Sequence, residues 1–133
     1  GDGIYDPAYV ELAGKTSNGD LATSVGAPTE SLDTAKQFVA DYQAAGYKEP
    51  YAAYGAYSYD AANAIINALK TSLASASDAK SARQATIDAM SKVSFDGATG
   101  KVAFDQYGDT TTKVLTVYKV DGGKWVAEKT GSG

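Results

Sequence analysis

Residues 51–70, "YAAYGAYSYDAANAIINALK", put four tyrosines at the head of a helical stretch and almost only alanine and isoleucine behind them. Tyr54, Tyr57, Ala61, Ala64, Ile65, Ala68 and Leu69 form one stripe at helical spacing, and Gly55, Tyr59, Ala62 and Ile66 form a second beside it. Asp60, Asn63, Asn67 and Lys70 share one narrow polar face. A helix that is apolar over most of its circumference is expected to be largely buried. The rest of the chain must therefore supply a broad apolar surface to cover it.

The other elements supply little cover. "DPAYVELAG" over 6–14 reads as a short helix, with Asp6 as its cap, Pro7 in its first position and Gly14 at its exit. "DLATSV" over 20–25 is a short extended run, and "GAPTE" after it is a turn. Residues 31–46 predict a helix through Ala35, Phe38, Val39, Tyr42 and Ala45, with Ser31 to cap it and Gly46 to stop it. The serine-rich joint "TSLASASD" leads to a third helix over 78–92, with Ser77 as cap and Ile87 and Met90 facing in. From "FDGATG" onwards the pattern turns to strands, "KVAFD", "KVLTVYKV" and "KWVAE", with a tight-hairpin signal in "VDGGKW". The order is that of an α/β or α+β domain. Its strands are too few to cover its helices, so part of the sheet is expected to be missing.

Composition narrows the function. The chain has 133 residues and 44% apolar content, enough for one domain with a core. A net charge of −4, scattered along the chain, argues against nucleic acid and against an anionic membrane surface. No apolar run approaches the roughly 18 residues that cross a bilayer as a helix. Cysteine is absent, which excludes disulfides and thiolate sites and suits an oxidising compartment. Histidine is absent too, which removes the usual general base, the usual zinc ligand and every Ser-His pair. With neither a signal peptide nor an initiator Met, the chain reads as a mature product or a cut piece. The closing "TGSG" reads as a linker.

Two acidic readings fail on spacing. "DGATG" and "DQYGD" gather oxygens near glycine, but counting from Asp105 puts Tyr107 at the third place of a calcium loop, where an oxygen ligand belongs. A carboxylate hydrolase would draw on Asp96, Asp105 and Asp109, and nothing in their spacing sets the defined separation such a pair needs.

Three segments together, "GDGIYDPAYVELAG", "AKQFVADYQAAGYKEPYAAYGAYSYDAANAIINAL" and "VSFDGATGKVAFDQYGD", resemble the branched-chain amino-acid type of periplasmic substrate-binding protein. These are two-lobed receptors that deliver ligand to ABC importers. The resemblance spans nearly the whole chain but only about the C-terminal third of a family member. It implies a partial type I periplasmic-binding-protein architecture, with helices packed on an incomplete sheet and strands crossing a hinge. Residues 1–18 would end the second lobe, 19–29 cross the hinge, 30–104 complete the first lobe and 105–128 return through the hinge, with 129–133 a tail.

By the same resemblance, Asp2 stands where the family places an acid against the ligand's α-ammonium, and charge-assisted hydrogen bonds suit that role. Tyr54 stands where an aromatic ring faces the ligand side chain, and Tyr5 and Tyr51 could line the same cleft. From the residues alone, Asp2 is equally a turn residue near the chain end and Tyr54 a core ring. Tyr57 and Tyr59 are expected in the core. The implied function is capture of an amino acid or similar small polar ligand, without catalysis and without cofactor or metal, at a periplasmic or extracytoplasmic site. The implied partners are the importer's membrane subunits, and a missing N-terminal part or a second copy of the chain. The alternative is an interaction module that uses open sheet edges.

Overall fold

A computed structural model describes residues 1–74 and 76–132. Ser75, inside the serine-rich joint, and Gly133, at the end of the tail, lie outside the described residues. The chain is an α/β fold, and among the described residues its α-helices are α1 (Pro7–Ala13), α2 (Lys36–Ala45), α3 (Gly55–Ser72) and α4 (Ala79–Met90). Its strands are β1 (Leu21–Val25), β2 (Ser94–Gly97), β3 (Gly100–Ala103), β4 (Val114–Asp121) and β5 (Lys124–Ser132).

Local chemistry sets most of these boundaries as expected. Asp6 accepts the Ala8 N–H at 2.7 Å, Pro7 opens α1, and Gly14 leaves it at φ +56°. Gly122 and Gly123 both carry positive φ in the turn that joins β4 to β5, which is what a tight hairpin demands. β5 runs on through the residues read as a tail, pairing Ser132 with Val114.

The strands form two sheets. One is antiparallel in the order β1-β4-β5, and the other is the β2–β3 hairpin. β4 alternates strictly over Thr116, Tyr118 and Val120, which are buried, with Thr116 and Tyr118 opposite Ser24 and Ala22 of β1, and Val10 of α1 lines a cavity together with Val120. The helical side has two small cores. Phe38, Ala56 and Ala98 form one, and Ala64, Ala68 and Val93 form the other, with Met90, Phe95 and Phe104 packed against it.

Several expectations need correction. Two 3-10 turns (Thr29–Ser31 and Asp33–Ala35) precede α2, and the Ser31 hydroxyl donates to the Pro28 carbonyl rather than capping the helix. Asp78, not Ser77, caps α4, in a reciprocal box with Ser81. Ile87 is 65% exposed, because α4 meets α3 through Thr86, Ala89 and Met90, and Ile87 falls beside that stripe. Most consequentially, α3 is not largely buried. Its covered line is Ala56, Asp60, Ala64, Ala68 and Ser72, while Tyr54, Tyr59, Ile65 and Ile66 are each about half exposed. Small side chains let the hairpin and α4 approach closely, and the bulky ones are left outside.

Asp60, read as part of the polar face, is 3% exposed. Its carboxylate accepts the N–H groups of Ala98 and Thr99 at 2.8 and 2.7 Å and the Thr99 hydroxyl at 2.6 Å. That bond set fastens α3 to the turn between β2 and β3. Gly97 allows the approach, since a Cβ there would lie 2.5 Å from the Asp60 carboxylate.

Candidate functional site

The 3-10 turn Asp2–Ile4 brings the N-terminal segment to the head of α3. The Tyr54 hydroxyl donates to the Asp2 carboxylate at 3.3 Å across 52 residues of sequence. Both residues are exposed. Desolvation, then the Asp2 charge and hydrogen bond, raise the Tyr54 phenol above its ordinary value. This pair is open on one side, a carboxylate and a ring edge offered together.

Tyr5 and Tyr51 meet elsewhere. They line a cavity of about 440 Å3 with Tyr57, Tyr118, Trp125 and Glu30; Asp2 and Tyr54 are not part of its wall. Tyr5 stacks on Tyr118 with centroids 3.9 Å apart and meets Trp125 edge-on at 5.9 Å. Burial, the neighbouring Tyr118 phenol and the Glu30 charge together hold the Tyr5 phenol well above its ordinary range. The Tyr51 hydroxyl donates to Glu30 Oε1 at 2.6 Å, and burial followed by that carboxylate pushes it up to about 12. Ala52, on the same wall, holds φ at +48°, a left-handed setting that non-glycine residues seldom adopt.

So the four candidate residues divide into two pairs, Asp2 with Tyr54 and Tyr5 with Tyr51. Tyr57 is half-buried, and its hydroxyl donates to the Val25 carbonyl at 3.2 Å, while Tyr59 is half exposed rather than core. Sequence reading missed Glu30, Tyr118 and Trp125. The alternation of β4 already sets Tyr118 on the face of Thr116 and Val120, so a register argument could have found it. Glu30 and Trp125 carry no local signal.

A second cavity, about 630 Å3, lies between α3, β3 and the first sheet and is lined largely by apolar groups, among them Ala61, Ala64, Phe104 and Leu115. The acidic residues do not converge. Asp96 pairs with Lys101 at 3.5 Å, and Asp105 accepts the N–H groups of Tyr107 and Asp109. The Tyr107 N–H is the main cause that holds the Asp105 carboxyl below its usual range. Among the described residues, no group of three or more acidic, His or Cys side chains could hold a metal ion.

Residues 1–124 match the model of the periplasmic binding protein family, and the chain belongs to that family. Its similarities to solved structures sharpen this. A leucine binding protein of Thermotoga maritima is 27% identical, with a TM-score of 0.77 over 97% of this chain and 35% of that one. A solute binding protein of Rhodopseudomonas palustris in complex with benzoate is 20% identical, with a TM-score of 0.67 over 99% of this chain and 34% of that one. A substrate-binding protein of Desulfitobacterium hafniense in complex with Leu is 20% identical, with a TM-score of 0.64 over 92% and 38%. The last two show the fold alone. The chain spans about a third of the length of these structures. No curated protein matches it.

Proposed function

We propose that this chain is the C-terminal portion of a solute-binding protein that captures an amino acid or a similar small polar ligand for an ABC importer, outside the cytoplasm and without catalysis. The observation that carries the reading is the meeting of Asp2 and Tyr54 at 3.3 Å. A carboxylate accepts a ligand ammonium through short charge-assisted hydrogen bonds, and an adjacent ring gives an apolar side chain a surface. Tyr5 and Tyr51 line a separate cavity, of whose wall Asp2 and Tyr54 are not part. The 27% identity to a leucine binding protein supports the amino-acid class.

In this reading residues 1–18 belong to the second lobe, 19–29 cross the hinge, 30–104 belong to the first lobe and the strands from 105 onwards, β5 included, return through the hinge. The partners are the importer's membrane subunits and either the preceding part of a longer chain or a second copy. The test supplies the preceding segment and titrates leucine calorimetrically. Asp2→Ala should weaken binding about tenfold or more, the cost of truncating one partner of a buried charged hydrogen bond. A loss below twofold retires the assignment.

A second reading, an interaction module, draws on the sheet order β1-β4-β5, which leaves β1 and β5 as edges with Leu21 and Val25 exposed on β1. It predicts that binding partners are proteins and that leucine has no effect on the assembled protein.

A further inference from the structure

The aromatic cavity of about 440 Å3 has chemistry that the Asp2–Tyr54 pair lacks. We propose that it is a site for a small organic cation of the quaternary-ammonium type. Tyr5 and Trp125 set two aromatic walls at 63° to one another, and Tyr118 stacks behind Tyr5. Tyr51 and Tyr57 line it from the segment that opens α3. Ring faces carry the negative end of the aromatic quadrupole, so walls at an angle attract a cation placed in the corner. The acidic group in the lining is Glu30. Tyr51 holds its Oε1 at 2.6 Å, which fixes the carboxylate and leaves Oε2 without a protein donor among the described residues.

Cation type follows from the aromatic character of the wall. Pro7, Val10, Val25, Pro28, Pro50 and Ala53 add apolar surface, and Ser24 and Thr29 add two hydroxyls beside the Glu30 carboxylate. A primary ammonium must hydrogen-bond every N–H group it takes out of water, and the ring faces of Tyr5, Tyr118 and Trp125 accept such bonds only weakly. A quaternary ammonium has none to satisfy and sheds its water more readily. The volume, about 440 Å3, falls within the range of small-molecule sites. Lys124 also lines the cavity, with its side chain exposed, and among the described residues no ion pair joins it to Glu30. Its charge opposes a cation, which gives the proposal a directional test. The proposal goes beyond the amino-acid reading, because neither Asp2 nor Tyr54 lines this cavity.

Trp125 is the single tryptophan of the chain, so its fluorescence reports on the cavity directly. The protein is titrated with choline and, in parallel, with choline's uncharged isostere, in which carbon replaces the quaternary nitrogen. Choline should give a saturable change with an affinity at least about tenfold above that of the isostere. Glu30→Gln should weaken choline about tenfold and leave the isostere unaffected, and Lys124→Met should tighten choline. Equal affinities for choline and isostere would reduce the site to a plain apolar cavity and overturn the proposal. So would the absence of saturation, or a Glu30→Gln protein that binds choline as well as the parent.

Discussion

On the sheet side of the molecule, Thr116, Tyr118 and Val120 of β4 are buried in strict alternation, and the backbone around them is satisfied by ladders to β1 and β5. Even the buried Thr116 hydroxyl is provided for, donating to the Gly26 carbonyl at 2.6 Å and lying 2.8 Å from Thr130. On the helical side the covered residues are mostly alanines, and the large apolar groups Ile65, Ile66, Leu73 and Ile87 are between 47% and 65% exposed. There the strongest long-range tie is one carboxylate, Asp60, on the turn between β2 and β3. The contrast separates two ways of being stable. The sheet side rests on one alternating strand face and its ladders, whereas the helical side rests on two small cores and a polar fastening and turns its larger aliphatic groups outward.

The largest expected effect attacks that fastening. Asp60→Ala leaves the Ala98 and Thr99 N–H groups buried without an acceptor, and should cost about 3 kcal/mol in denaturant unfolding. Asp60→Asn keeps the shape and one acceptor, so it should lose less. If Asp60→Ala costs under about 1 kcal/mol, the helical side is held by something other than this carboxylate.

The matching probe of the sheet side is Val120→Ala. Val120 is 1% exposed, and removing its two methyl groups takes away their burial and opens a small void, about 2 kcal/mol in all. The comparison predicts a further difference. The Val120 variant should lower the unfolding midpoint without changing the fold, whereas Asp60→Ala should raise amide exchange selectively in α3 and the hairpin. Uniform exchange in both variants would mean that the two sides unfold as one unit.

How much of this was readable follows the same division. α1, β1 and the β4–β5 hairpin announce themselves through caps, alternation and paired glycines, all of which are local signals, and the sheet side is built from them. The helical side defeated the reading where long-range partners decide. Asp60 looked like a solvent-facing residue because its three partners lie 38 and 39 positions away, on a turn that periodicity does not reach. Ile65 and Ile66 looked buried because a helical wheel ranks residues by hydrophobicity and is blind to whether a neighbour is present. For the site, the resemblance named Asp2 and Tyr54, and these do meet. Glu30 and Trp125, which share the cavity wall with Tyr5 and Tyr51, sit in unremarkable local sequence and are joined to it only by the fold.

A smaller effect tests the seam between the two sides, where Tyr51 donates to Glu30. Tyr51→Phe removes a partly exposed hydrogen bond to a carboxylate and should cost about 1 kcal/mol near neutral pH. The phenol is raised from 10.0 to about 12 in the folded protein, chiefly by burial and then by Glu30. A raised value means that the folded state favours the protonated phenol. Its contribution is therefore complete below the unfolded value near 10 and is lost as pH climbs through about 12. Stability measured across that window should fall more steeply in the parent protein than in Tyr51→Phe. Parallel curves would show that Tyr51 does not couple to folding.

The smallest effect on stability belongs to Ile65→Glu, yet it bears most directly on what the helical side is for. Ile65 is 47% exposed, so a charge there meets water and should change unfolding of the isolated chain by no more than about 0.5 kcal/mol. It lies one turn on from Ala61, which lines the apolar cavity of about 630 Å3. Apolar area of this kind is driven into contact at roughly 25 cal/mol per Å2, and β1, β4 and β5 are engaged with one another and with α1 instead of covering α3. We therefore expect the parent chain to associate at micromolar concentration in sedimentation experiments, and Ile65→Glu to remain monomeric with its helix content intact. Association through the β1 or β5 edge would instead survive Ile65→Glu, because backbone pairing does not involve this side chain. A parent chain that sediments as a compact monomer with one cooperative unfolding transition would show that the polar fastening at Asp60 closes the helical side unaided, and the distinction between the two sides would then be one of degree.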